Sequence, residues 1–192
     1  MNSPHKDQIW KTQWDARQAL KGHMNVARET MTFIYGNSLD MTGFIDGTGN
    51  PDPANRDHEV AIVPDGQPGA GGSFILAQRW VHDLEGWNKQ SVPEQEGVFG
   101  RTKADSTRLA TQPAHSHLSH VELRQGATAV HDGTVGLYFM AFCKPQAPLR
   151  ERLRAMYGCD GQVRDKLVDY SNPASGSFYF APSIETLNSA LA

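Results

Sequence analysis

VGLYFMAF, residues 135–142, is the stretch that most restricts the fold. Only the Tyr138 hydroxyl is polar, so the run has no side to turn to water, and it is far shorter than the ~20 apolar residues a membrane-spanning helix needs. It is expected as a central strand. A chain of 192 residues and 21.2 kDa has room for one well-buried domain around such a strand.

The rest of the chain supplies partners for that strand. GGSFILAQRWVHDL (71–84) reads as a long strand with Phe74, Leu76, Trp80 and Val81 among its apolar positions and the alternation broken near Gln78. GSFYFAP (176–182) reads as a last strand, and HEVAIV (58–63) as a sheet edge. Apolar spacing predicts a helix over 15–31, although Gly22 is a weak point in it, whereas the first fourteen residues carry no clear period. Ser91 with Glu94 three residues on is a capping box before Val98 and Phe99, 147–157 is an amphipathic helix stopped by Gly158, and Ser183 caps a terminal helix. Strands separated by helices and Gly-rich links indicate an α+β class, an antiparallel or mixed sheet with helices packed on one face.

Eighteen basic against twenty-one acidic residues give a net charge of -3 with no long run of one sign, which disfavours a nucleic-acid partner. Cys143 and Cys159 show no metal-binding spacing and read as reduced packing residues. With no long apolar segment, a soluble cytoplasmic protein without a membrane partner is expected.

Two groups of residues carry candidate chemistry. In MTGFIDGTGNP (41–51), Asp46 follows an apolar pair inside a run of turn formers. It reads either as a turn aspartate bonded to its own backbone or as a proton acceptor and donor beside the close backbone that Gly43 and Gly47 allow. In PAHSHLSHVEL (113–123), alternation puts His115 and His117 on one face of an extended segment and His120 on the other. Zinc lacks further ligands there, surface histidines are the plain reading, and a single axial histidine is enough for haem iron.

These two stretches, together with 71–106, VGLYFMAFCK (135–144) and YSNPASGSFYFAPS (170–183), in that order, resemble the C-terminal haem-binding domain of the dye-decolourising peroxidases. The resemblance runs over 33–192 and leaves 1–32 as a remnant or N-terminal helical appendage. It implies a ferredoxin-like α+β fold holding haem b, with His117 as the iron ligand and Asp46 as the acid that moves a proton between the oxygens of hydrogen peroxide. It also implies that Gly47 and Thr48 touch the haem and that Phe139 lines the pocket. Small one-electron donors such as dyes or phenols would be oxidised, and His115 and His120 would be surface residues. A carboxylate accepting the second ring proton of His117 would favour this chemistry. The sequence does not say which.

Two departures from the family pattern qualify these expectations. Most of the family's first domain is absent before GFIDGT, so a homo-oligomer covering bare sheet is expected. No arginine can be assigned by motif to the distal side, since Arg124 lies on the segment leading from His117, and turnover is expected to be low. A smaller departure is Gly49, which stands where relatives commonly have Glu. The alternatives are a haem-carrying module with little turnover and a non-haem structural protein.

Overall fold

The computed structural model describes residues 6–46, 60–121, 126–131 and 133–191. The apolar run forms strand β4 (Thr134–Cys143), inside a five-stranded sheet of order β1-β3-β4-β2-β5. Its partners are β1 (Met31–Phe33), β2 (Ser73–His82), β3 (Gly126–His131) and β5 (Ser171–Ala181), and every pairing is antiparallel.

Register decides which side chains share a face, because residues opposite each other in antiparallel strands point the same way. Leu76 stands between Ala141 and Phe178, Gln78 between Phe139 and Gly176, and Trp80 opposite Leu137. This inner face is where the helices lie. Trp80 and Leu137, with Phe139 beside them, pack against Val121, Met156 and Val168, while Leu76 and Cys143 pack against Leu149. Leu149, Leu153 and Met156 all belong to one helix, α5 (Ala147–Met156), whose apolar side lies along the sheet. The α+β class with helices on one face is as expected.

A further cluster, Phe44, Trp87, Val98 and Leu167, lies beside short helices. These are α2 (Leu84–Asn88) and α3 (Val92–Phe99), followed in the chain by α4 (His117–His120). The capping box is present: the Glu94 carboxylate accepts the Ser91 N–H at 2.8 Å and the Ser91 hydroxyl at 2.6 Å. The chain closes with α6 (Ile184–Leu191), where Ser183 Oγ accepts the Thr186 N–H at 3.1 Å.

Four expectations are corrected. The first helix, α1, runs over Lys6–Ala19 rather than 15–31. Gly22, at φ +88°, closes the turn after it, a conformation no helical residue adopts, and 24–30 has no regular structure. Upstream, where apolar period is weak, Trp10 stacks on Trp14 at 5.7 Å and Lys11 pairs with Asp15 at 2.6 Å, both one helical turn apart. Residues 60–63 form no strand: the Val63 N–H bonds to Gly72 O, and the Gly71 N–H to Val63 O, which closes a loop, while 58–59 lie outside the described residues. Gln78 does not break the alternation of β2; it is buried on the inner face between Leu76 and Trp80. The central strand is not dry on both sides either, since Phe142 is 44% exposed on the outer face.

Gly136 leaves no room for a side chain, because a Cβ there would sit 2.0 Å from the carbonyl oxygen of Trp80. Backbone in a ladder cannot yield as a side chain can. Gly136→Ala is expected to destabilise the chain by about 3 kcal/mol or more in urea titration; a loss under about 1 kcal/mol contradicts the register.

Candidate functional site

The Asp46 segment is a loop folded back on itself. The Asp46 N–H donates to Ser38 O at 2.8 Å, the Asp40 N–H to Phe44 O at 2.8 Å, and the Gly43 N–H to Asp40 O at 2.9 Å. Gly43 has φ +87°, which the turn requires of a glycine, and the end of the Lys103 side chain occupies the space beside it, 2.6 Å from where a Cβ would stand. Asp46 itself is half-buried, while Gly47, Thr48 and Gly49 lie outside the described residues. Asp40 makes a turn of its own: its Oδ1 accepts the Thr42 N–H at 2.9 Å and the Thr42 hydroxyl at 2.6 Å.

Asp40 also reaches the sheet. Its Oδ2 accepts His82 Nε2–H at 3.0 Å, and His82 Nδ1 meets Ser171 Oγ at 2.9 Å. Burial pushes the Asp40 carboxyl upward, but the His82 hydrogen bond, electrostatic attraction to His82 and the two bonds from Thr42 outweigh it and bring the pKa to about 2.

His117 is held differently from the extended segment expected of it. It opens α4, a single helical turn, so His117 and His120 stand three residues apart on a helix. His117 is 4% exposed, and its Nδ1 is hydrogen-bonded to the carboxylate of Asp165, which has no exposure at all. The other carboxylate oxygen of Asp165 accepts the Leu167 N–H at 2.9 Å. With the Nδ1 proton committed to Asp165, the buried Nε2 carries the ring's lone pair, the arrangement of a metal-ligating histidine backed by a carboxylate. His120 is occupied otherwise: Nδ1 bonds to Ser116 O at 2.7 Å and Nε2 to Val163 O at 2.6 Å.

One aromatic ring joins the two halves of the site. Phe99, at the end of α3, stacks face to face on Phe44 at 3.9 Å and makes an edge-to-face contact with His117, ring centroids 6.2 Å apart. Phe44 stands two residues before Asp46, so loop and histidine rest on the same ring. Phe139 joins from the sheet: it packs on the cluster containing Val121, whose N–H bonds back to His117 O at 3.0 Å. His115 is half-buried and accepts the Lys166 N–H through its carbonyl.

The sequence raised a carboxylate behind His117 only as a condition for this chemistry and pointed to no residue for it. Asp165 is 48 positions away, and no spacing rule links them. The Asp40–His82–Ser171 connection was missed for the same reason.

Comparison with known proteins bears on this arrangement. The family described as Dyp-type peroxidase, C-terminal, matches residues 37–186. A dye-decolorizing peroxidase of Mycobacterium tuberculosis is 30% identical over 86% of this chain and 54% of its own length, and one of Rhodococcus erythropolis is 30% identical over 88% and 54%. The chain thus spans about half the length of these curated relatives. Among solved structures, a dye-decolorizing protein from V. cholerae superimposes with a TM-score of 0.88 at 35% identity, covering 96% of this chain and 66% of that one. A variant of DypB from Rhodococcus jostii RHA1 in complex with heme gives 0.90 at 31% identity, over 97% and 66%. These likenesses place the sheet and its helices in the ferredoxin-like class.

The low pKa of Asp40 has a pH signature. A carboxyl held near 2 when folded, against an ordinary 3.8, stabilises the fold above about pH 4 and loses that contribution as pH falls from about 4 to 2. Between pH 5 and pH 2 the loss is expected to be about 2 kcal/mol. Urea titrations at pH 5 and pH 2 check it: Asp40→Asn should lack that part of the acid sensitivity, and equal slopes for both proteins would contradict the assignment.

Proposed function

The chain belongs to the Dyp-type peroxidase family through its C-terminal domain, and from that premise we propose that it is a haem-dependent peroxidase, reducing hydrogen peroxide and oxidising dyes, phenols or similar one-electron donors. The observation that carries this reading is the buried His117–Asp165 pair on α4. Those residues suit haem b: one buried imidazole backed by a carboxylate would be enough to hold haem iron. Haem, when bound, supplies the redox-active iron at which peroxide is reduced and a donor's electrons are returned one at a time.

The chain's own residues do the rest. His117 would hold the iron through Nε2, while Asp165 keeps the Nδ1 proton in place and makes the imidazole more basic. Asp46 takes a proton from one peroxide oxygen through its carboxylate and returns it to the other, for which it needs reach rather than an extreme pKa. Phe139, on the inner face of the sheet beside Val121, would line the haem pocket. Without an arginine charge on the distal side, turnover would be slower by ~10²–10³. Relatives named as peroxidases favour turnover over mere haem carriage.

Two further features belong to this reading. Ile75, Phe142 and Tyr179 share one row of the outer sheet face, where Phe142 is 44% and Tyr179 57% exposed. We infer homo-oligomer formation through that face. Among the described residues no helix is long and apolar enough to cross a membrane. Both cysteines are free thiols, in keeping with a cytoplasmic home.

Haemin titration followed at the Soret band tests the ligand. His117→Ala is expected to abolish saturable binding and His120→Ala to leave it intact, while Asp165→Asn weakens it ~10–100-fold. Equal loss at both histidines means the wrong ligand has been named. Asp46→Asn should keep haem and slow its reaction with peroxide by ~10²-fold or more; an unchanged rate removes Asp46 from the mechanism. Sedimentation at micromolar concentration should show assemblies that Phe142→Ser with Tyr179→Ser reduces to monomer, and a strictly monomeric wild-type chain contradicts the oligomer.

A further inference from the structure

Ser171, His82 and Asp40 form a buried line whose residue types are those of a nucleophile, a base and its orienting acid. Ser171 is only 5% exposed, however, and Asp40 9%, so no substrate carbonyl can reach the hydroxyl. The line does something else. It joins three pieces of chain that are distant in sequence.

His82 ends β2 and is the register partner of Ser171, which opens β5. That fixes the imidazole against the sheet from one side: Ser171 Oγ–H donates to Nδ1 when the ring proton is on Nε2, and Nε2–H is then directed to Asp40. Asp40 is the node of the loop. Its Oδ1 gathers Thr42, its N–H pairs with Phe44 O, and its carbonyl accepts the Gly43 N–H. Asp46 is tied to the far strand of the same loop, through its N–H to Ser38 O. A second tether runs from Trp87 Nε1–H to Thr42 O at 2.9 Å, but it grips the turn and not the base of the loop.

We propose that His82 is a positioning residue for Asp46: through Asp40 it fixes the 38–46 loop to the end of β2, and so sets where the acid stands. This rests on the reading of Asp46 as the proton carrier. The sheet edge is thereby part of the peroxide chemistry without touching peroxide.

Amide hydrogen exchange of the full chain, read by NMR without haem, tests the tether directly. In His82→Ala the amides of Asp40, Gly43 and Asp46 should exchange ~10–100-fold faster, the worth of a charge-assisted hydrogen bond, while those of Leu76 and Leu137 in the β2–β4 ladder keep their rates. His82→Gln, whose amide N–H can still reach Asp40, should restore most of the protection. Asp40→Asn keeps the Thr42 contacts, should give the same loop-confined pattern at smaller size, and serves if the alanine variant does not fold. In the haem-loaded protein His82→Ala should slow the peroxide reaction without weakening haem binding, and His82→Gln should recover it. Unchanged loop exchange, acceleration spread evenly over loop and ladder, or a Gln variant no better than Ala each overturns the proposal. An unchanged peroxide rate in Asp46→Asn overturns the acid reading alone, and the exchange pattern still decides whether His82 holds the loop.

Discussion

A carboxylate wholly shut off from water must have its charge answered on the spot, and Asp165 has it answered by His117 and by the Leu167 N–H. Removing one partner of such a buried pair typically costs ~3–5 kcal/mol, because the other is left uncompensated. The pair also supplies order where the local sequence cannot. α4 has four residues, far below the ~12–15 at which a helix holds itself. Its orientation comes from outside, through Asp165 and through the Lys166 N–H bonded to His115 O.

The second dependence runs through α3. Phe99 serves as a floor for both Phe44 and His117, and α3 is set in place by its capping box and by Gln95, whose amide donates to Trp87 O at 3.0 Å. Gln95 in turn accepts Lys103 Nζ–H at 2.6 Å, and the same ammonium lies over the Phe44 ring at 5.7 Å. Lys103 fills the space that a side chain at residue 43 would need. A glycine, a lysine and a helix cap far apart in the text therefore act on the geometry of one loop.

What was legible in the sequence follows from which forces are local. The all-apolar 135–142 run declared a central strand because burial is written in composition, and Ser91 with Glu94 declared a helix start because capping acts over three residues. Residues 15–31 misled because apolar spacing was counted through Gly22, whose backbone closes the turn. Gln78 looked like a break in β2 because a buried amide and an exposed one read alike before register is known. In the site, Asp46 and His117 could be singled out by their motifs, whereas Asp165 and His82 could not: each acts across more than forty positions through a single hydrogen bond. Such pairings leave no period to read.

The central claim is that His117, polarised by Asp165, is where this chain grips iron. Resonance Raman of the ferrous haem-loaded protein measures that bond through its iron–histidine stretching band. The account predicts a band at the high-frequency end for a histidine ligand, absent in His117→Ala and shifted lower in Asp165→Asn as the ring loses anionic character. A band that survives His117→Ala, or one indifferent to Asp165→Asn, would contradict it.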